Sequence, residues 1–434
     1  MRIWSILTLF LIILAGCTDK EAKTYFTSEK AVYYFGQVEK LCNDDGGRMW
    51  GKQLYGPMMF VDRPTRKIFA NMPDRDGLLK LKDGVYTGSY PRELIIDNIN
   101  VEYGGTMYGM APLPPREDTA RIVMRAIHGL FHVYQKNEGF NPTPVTTKRL
   151  DEKNARLWLK LELRALRQAI DSSEETRSRS IRDALIFRGA RRELDPLEIK
   201  DENRFEFYEG LATLTFISLY DNDDLEVKKN LHIQFDRMYW QPIFSRTYGF
   251  ANGAAYGYLA TRKGYDLRSI KSDTTDLALI VKDSYAIKLP ERCLDVAGSI
   301  AMNYELDSIY KEEEKRMTDI KERVHRQISD YTEKPVVYLE LESPYFDFEP
   351  EEIRALDTLG TIYNSIRVAD NWGKLTVDKG GCLVSFNLKS MRVKAKNLRE
   401  SKNHYYGDGW HLILNSDWEI VRIDENYFVR KLMP

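Results

Sequence analysis

Apolar positions change their spacing several times along this chain, and each change marks an element. From 27 to 43 they recur at helical intervals, with Ala31, Tyr34, Phe35, Val38 and Leu41 near one face. Two short apolar runs follow, Met58-Met59-Phe60-Val61 and Lys67-Ile68-Phe69-Ala70, separated by the turn signal Asp62-Arg63-Pro64-Thr65. Asn98 to Tyr103 alternates like a strand, Gly104-Gly105 breaks it, and Thr106 to Met110 pairs back or continues it. Pro112-Leu113-Pro114-Pro115 ends the extended part, and Asp118 or Thr119 can cap a helix reaching about Lys136. That helix carries Ile122, Val123, Ala126, Ile127, Leu130, Phe131 and Val133, apolar on so many sides that it is expected to be central and buried.

Further helical patterns cover 151–171, 174–192, 201–219 and 251–262, with shorter ones to about 303. A long charged helix over 304–330 has Leu306, Ile309, Met317, Ile320, Val324 and Ile328 as its apolar stripe. Beyond Lys334-Pro335 the text turns to short β-rich runs, among them Val336 to Leu339, Gly381 to Phe386, Trp410 to Leu414 and Trp418 to Val421. The expected fold class is α+β. A mainly helical domain at 27–303 holds a small N-terminal sheet, a charged helical connector spans 304–333, and a small β-rich domain spans 334–434.

Composition sharpens this picture. A chain of 434 residues with 43% hydrophobic content suits two ordinary cores. Its 64 basic and 65 acidic residues leave a net charge of −1, so no basic excess exists to neutralise phosphates and nucleic-acid binding is disfavoured. Setting Cys17 aside leaves Cys42, Cys293 and Cys382, an odd number that is not a disulfide framework. One bridge is open to an oxidising compartment, and the sequence does not choose the pair.

The chain opens with Met1-Arg2, an apolar run from Ile3 to Leu14, and Leu14-Ala15-Gly16-Cys17. A short basic region, a short apolar core and small residues at a cut site read as a secretion signal. The run is short of the roughly 20 residues of a membrane-spanning helix. An uncleaved anchor or a buried N-terminal helix is the competing reading, opposed by the abrupt polar turn at Thr18-Asp19-Lys20-Glu21. Leu-Ala-Gly-Cys resembles the lipobox of bacterial lipoproteins. The resemblance implies cleavage before Cys17, an acyl chain such as palmitate on that cysteine, a tether over 17–26, and attachment to a bacterial outer membrane or cell surface.

His128 and His132 lie four residues apart on the helix at 119–136, so they share one face, one turn apart. Two imidazoles so placed can hold one zinc ion with a third ligand from elsewhere. The spacing alone fits structural histidines equally well. The surrounding text, His128-Gly129-Leu130-Phe131-His132-Val133-Tyr134-Gln135, resembles the HExxH helix of zincin metallopeptidases, and Glu209-Gly210-Leu211-Ala212 resembles the segment in which gluzincins present a glutamate ligand. Segments such as Gly46 to Gly51, Arg156 to Glu162, Arg182 to Arg188 and Asn252 to Ala255 extend the likeness, over about 27–300, to exported bacterial proteins read as zinc metallopeptidases. The resemblance implies a zincin-like fold, Zn2+ held by His128, His132 and Glu209, and a strand at 98–103 beside the site that can pair with an extended peptide or protein ligand.

One position departs from the family. Gly129 stands where HExxH has the glutamate that takes a proton from zinc-bound water. Glycine accepts no proton and costs about 1 kcal/mol relative to alanine inside a helix, with no evident gain in stability. Losing a general base typically removes about 10² to 10⁴ in rate. Candidates to replace it are Glu162, readable also as a partner to a histidine ring or an ion-paired surface residue, and Tyr248, readable as an oxyanion donor or simply a packed tyrosine. Glu206 has the same ambiguity as Glu162. His232, His325, His404 and His411 lack partners at ligand spacing, and Tyr405, Tyr406, Trp410 and Trp418 fit a β-domain core better than a sugar- or peptide-binding face. The expected protein is therefore a degenerate, peptidase-like binding lipoprotein, with an active zinc hydrolase using a non-standard base as the alternative.

Overall fold

The computed structural model describes residues 24–432 apart from 92–93, 115, 143–144, 146, 195, 222 and 349–352. Cys17, the expected leader and most of the expected tether lie outside the described residues. The chain is α+β and divides into two compact units, 1–310 and 311–434. No helix among the described residues is long and apolar enough to cross a membrane.

The first unit opens with α1 (Ser28–Asp45), whose N-cap Thr27 hydroxyl accepts from the Lys30 amide at 3.2 Å. Six strands then form one sheet: β1 (Met58–Val61), β2 (Lys67–Ala70), β3 (Lys80–Lys82), β4 (Val85–Ser89), β5 (Asn100–Tyr103) and β6 (Thr106–Pro112), ordered β3-β4-β2-β1-β6-β5. Only β1 and β6 run parallel, pairing Met58 with Gly109 and Met59 with Met110. The central strands are buried on both faces, which is why β1 reads as an unbroken apolar run. Met58, Phe60 and Phe69 point into the main helical core, while Met59, Val61, Ile68 and Met110 join a separate cluster with Leu79, Tyr90 and Ile96. β5 is an edge strand, antiparallel to β6.

The helical part comprises α2 (Thr119–Asn137), α3 (Lys153–Asp171), α4 (Glu174–Leu194), α5 (Ile199–Phe205), α6 (Leu211–Tyr220), α7 (Asp224–Tyr239), α8 (Tyr248–Arg262), α9 (Leu277–Ser284) and α10 (Leu294–Ala301). Asp118 caps α2, its carboxylate accepting from the Arg121 amide at 3.0 Å. α2 is buried between β6 and α6, as its all-round apolar character requires. The helix expected over 201–219 is present but not α-helical throughout. Residues Glu206–Gly210 form a π-helical turn between α5 and α6.

α11 (Leu306–Thr332) leads into the second unit. Seven strands there run in the order β18 (Trp418–Ile423), β19 (Asn426–Lys431), β7 (Val336–Glu340), β14 (Ser390–Lys394), β13 (Cys382–Val384), β10 (Gly360–Tyr363) and β9 (Ile353–Leu356). Six more form a second sheet, β15 (Arg399–Ser401), β16 (His404–Gly407), β17 (Trp410–Leu414), β12 (Gly373–Val377), β11 (Ile366–Asp370) and β8 (Tyr345–Phe348). Alternating residues of both sheets, such as Val337, Leu339 and Val393 against Val368, Leu375 and Leu412, share one core. Cys42, Cys293 and Cys382 are all buried and unbridged. Burial pushes the Cys42 and Cys382 thiols up to about 12.

Candidate metal centre

Three side chains converge between α2 and the π-helical turn. His128 and His132 lie on one face of α2, with their Nε2 atoms 3.0 Å apart. Glu209 Oε2 is 3.1 Å from His128 Nε2 and 3.7 Å from His132 Nε2. The three donor atoms thus lie close enough together that the group can hold a metal ion. A tetrahedral ion with ligand bonds of about 2.0–2.1 Å separates its donors by roughly 3.3 Å, so the spacing fits without rearrangement. Both histidines are buried, and the Glu209 side chain keeps 21% of its surface exposed.

Gln135 determines how His132 is protonated. Its amide nitrogen donates to the Phe207 carbonyl at 3.1 Å, so its Oε1 is left to accept. That oxygen lies 2.8 Å from His132 Nδ1, which must therefore carry the proton. In its neutral form His132 would then present the Nε2 lone pair toward His128 and the Glu209 carboxylate. Two lone-pair donors and a carboxylate facing one point need a cation or a shared proton between them. The same glutamine ties α2 to the π-helical turn, holding Glu209 at its distance. Phe250 stacks on His128 at 6.0 Å between ring centres, fixing that ring's plane.

Charge behaves accordingly. Burial opposes ionisation of Glu209, but the two imidazoles outweigh it and hold its carboxyl far below the usual range. Burial and the neighbouring His132 lower the pKa of His128 despite Glu209. For His132, burial is overcome by the Glu209 carboxylate and the pKa rises.

Gly129 has a packing reason that its helix propensity conceals. A Cβ at Gly129 would lie 3.0 Å from the Met110 carbonyl oxygen, and one at Gly109 would lie 2.7 Å from the Gly129 carbonyl carbon. α2 and β6 thus meet backbone to backbone, and the expectation that glycine brings no stability here is corrected: the missing side chain permits the close approach.

The candidate roles of Glu162 and Tyr248 are also corrected, since neither touches an imidazole. Glu162 is fully buried, its Oε1 accepting from Arg188 at 3.1 Å, Asn252 at 3.0 Å and the Tyr256 hydroxyl at 2.8 Å. Arg188 also grips both oxygens of Glu206, each at 2.7 Å, so Glu206 is a structural partner rather than a free base. Burial opposes the charge on Arg188, yet Glu206, Asp276 and Glu162 hold its pKa well above the ordinary value. Arg191 and Arg192 pair with Glu202, extending the network. Tyr248 is fully buried against Phe205, and burial with the nearby Glu202 and Glu206 holds its phenol well above its usual pKa.

Asp97 escaped the sequence reading because no spacing links it to the histidines. It is exposed on the segment entering β5, and its charge raises the proton affinity of both His128 and His132. Next to it, the Asn98 amide oriented to donate reaches the carbonyls of Met110 at 2.9 Å and Arg125 at 2.8 Å, pinning this segment to β6 and α2. Elsewhere, His404 and His411 do have partners: their Nδ1 and Nε2 atoms meet at 3.0 Å, and Tyr406 stacks on His411. His232 meets Asp171 at 2.8 Å. Tyr405 and Trp410 sit in the β core, while Tyr406 is exposed.

Comparison with protein-family models, curated proteins and solved structures finds no match to this chain.

Proposed function

We propose that this chain is an exported lipoprotein, anchored through lipid on Cys17, whose helical domain carries a zincin-like zinc site without the usual general base. On this reading it binds a peptide or protein ligand rather than cutting it. The observation that carries the proposal is the convergence of His128, His132 and Glu209 on one point. Gln135 holds the His132 Nδ1 hydrogen, so that the neutral form of the ring would offer its Nε2 to the point shared by His128 and Glu209. Two imidazoles, one carboxylate and no thiolate suit zinc. When bound, zinc supplies a Lewis acid and acidifies its water. The chain's own residues orient the donors, exclude bulk water from both histidines and leave the Glu209 side chain partly exposed. The β5 edge offers unpaired main-chain groups to an extended peptide. Elemental analysis tests this: gently purified protein is expected to carry near one zinc per chain and the His132→Ala variant near none. Equal zinc in both, or none in either, defeats the assignment.

A second reading is an active hydrolase with a non-standard base, for which Asp97 is the candidate. Its carboxylate is electrostatically coupled to both imidazoles and is not committed to an ion pair among the described residues. Peptide cleavage by the natural protein, abolished both by a chelator and by Asp97→Asn with zinc retained, would support this reading over the first.

A further inference from the structure

The second unit contains a cleft of about 890 Å³ that plays no part in the metal site. Lys334, Lys379, Lys394 and Lys396 line it, with Asp330 and Asp408 as its carboxylates, so the lining carries two more positive than negative charges. Pro335 and Ala395 are apolar members of the lining.

The lysines come from segments far apart in sequence, and the backbone fixes those segments to one another. The Ala395 amide donates to the Pro335 carbonyl at 2.9 Å, and the Asp408 amide to the Lys396 carbonyl at 3.3 Å. The Lys379 amide donates to the Gly409 carbonyl at 3.2 Å, and the Trp410 indole to the Lys394 carbonyl at 2.8 Å. Gly409, at φ 84°, allows this meeting, since a Cβ there would lie 2.4 Å from the Lys379 carbonyl oxygen. The backbone that carries the lysines is thus preorganised.

Its internal charge pairing is incomplete. Asp330 holds Lys334 at 2.6 Å and reaches Lys394 only at 3.8 Å. Asp408 lies 3.5 Å from Lys396 and also accepts from the Asn397 amide at 2.8 Å. Lys379 has no carboxylate within ion-pair distance among the described residues. Two ammonium charges in excess, in a lining that includes Pro335 and Ala395, complement a multiply charged anion on a compact organic body.

We propose that this cleft binds an organic phosphate, its anionic group held by Lys379 and Lys396 and its body laid over Pro335 and Ala395. A soluble phosphorylated molecule and the headgroup of an anionic phospholipid share this chemistry. The test uses the whole protein. Inorganic tripolyphosphate is titrated by calorimetry, and vesicles of phosphatidylglycerol or phosphatidylcholine are co-sedimented with the protein. Saturable 1:1 tripolyphosphate binding is expected, weakened at least tenfold by Lys379→Ala with Lys396→Ala and unchanged by Lys229→Ala with Lys282→Ala. Binding only to phosphatidylglycerol vesicles, with the same dependence on Lys379 and Lys396, would support the proposal and place the phosphate on a lipid. Absence of binding in both arms would overturn it, as would equal weakening by the two double variants, the mark of diffuse charge attraction. Circular dichroism of each variant separates loss of binding from loss of fold.

Discussion

Gly109 of β6 and Gly129 of α2 face each other so closely that a Cβ on Gly109 has no room and one on Gly129 would press on the Met110 carbonyl oxygen at 3.0 Å. The position that carries the proton acceptor in HExxH helices is thereby occupied by a main-chain contact. Gly129→Glu, the obvious way to restore a base, therefore requires α2 and β6 to give way at this contact.

Gly129→Ala separates the competing effects. Helix propensity favours alanine by about 1 kcal/mol. Overpacking against a close-packed neighbour costs about 1–3 kcal/mol. The expected net result is destabilisation, read as a lower denaturant midpoint with unchanged slope, and Gly129→Glu should fall further. A midpoint at or above that of the natural protein would contradict the packing argument.

Gln135→Leu preserves volume while removing the acceptor for His132 Nδ1. Loss of such a partner typically costs about 10- to 100-fold in metal affinity. Competition with a chromophoric chelator should show that drop while His132 itself stays in place. Unchanged zinc affinity would mean that Gln135 braces the π-helical turn and does nothing for the imidazole.

Glu162→Ala should cost about 3–5 kcal/mol of stability, because it strips a buried partner from Arg188 and Arg191. Zinc content per folded chain should stay near that of the natural protein. Normal stability combined with lost zinc would restore Glu162 to the site.

Asp276 links the same network to pH. Burial raises its pKa, but Arg188 and Arg192 outweigh this and hold it at about 2, against 3.8 unfolded. A depressed carboxylate stabilises the fold above its unfolded pKa, and that stability is lost as pH falls from about 4 through 2. The shift corresponds to about 2 kcal/mol. Asp276→Asn should lower the unfolding free energy by about this amount at neutral pH, and the deficit should shrink as pH falls across that window. A deficit constant down to pH 2 would show that charge is not its source.

Much of this was legible because it rests on periodicity. The buried helix around His128 and the strands at Met58 and Lys67 follow from apolar spacing alone, and so does the shift to β structure after Pro335. The pairing of His128 with His132 is fixed by helical geometry, while Glu209 came only from resemblance. What escaped the sequence depends on contacts between distant segments. Nothing near Glu162 announces Arg188, which lies on the next helix, and Gly129 looks wasteful until Gly109 is seen against it. Asp97 is linked to the histidines only by the fold. His404 and His411 seemed isolated because strand pairing, not helical spacing, brings them together.

The interruption at Glu206–Gly210 makes the centre depend on main-chain counting as well as on chemistry. Each residue of a regular helix turns its successors by about 100°. Deleting one residue from this wide turn would let the chain wind evenly and swing the carboxylate away from the imidazoles, with no ligand replaced. Chain length at this turn is therefore as much a determinant of how the three donors converge as the identity of any one of them.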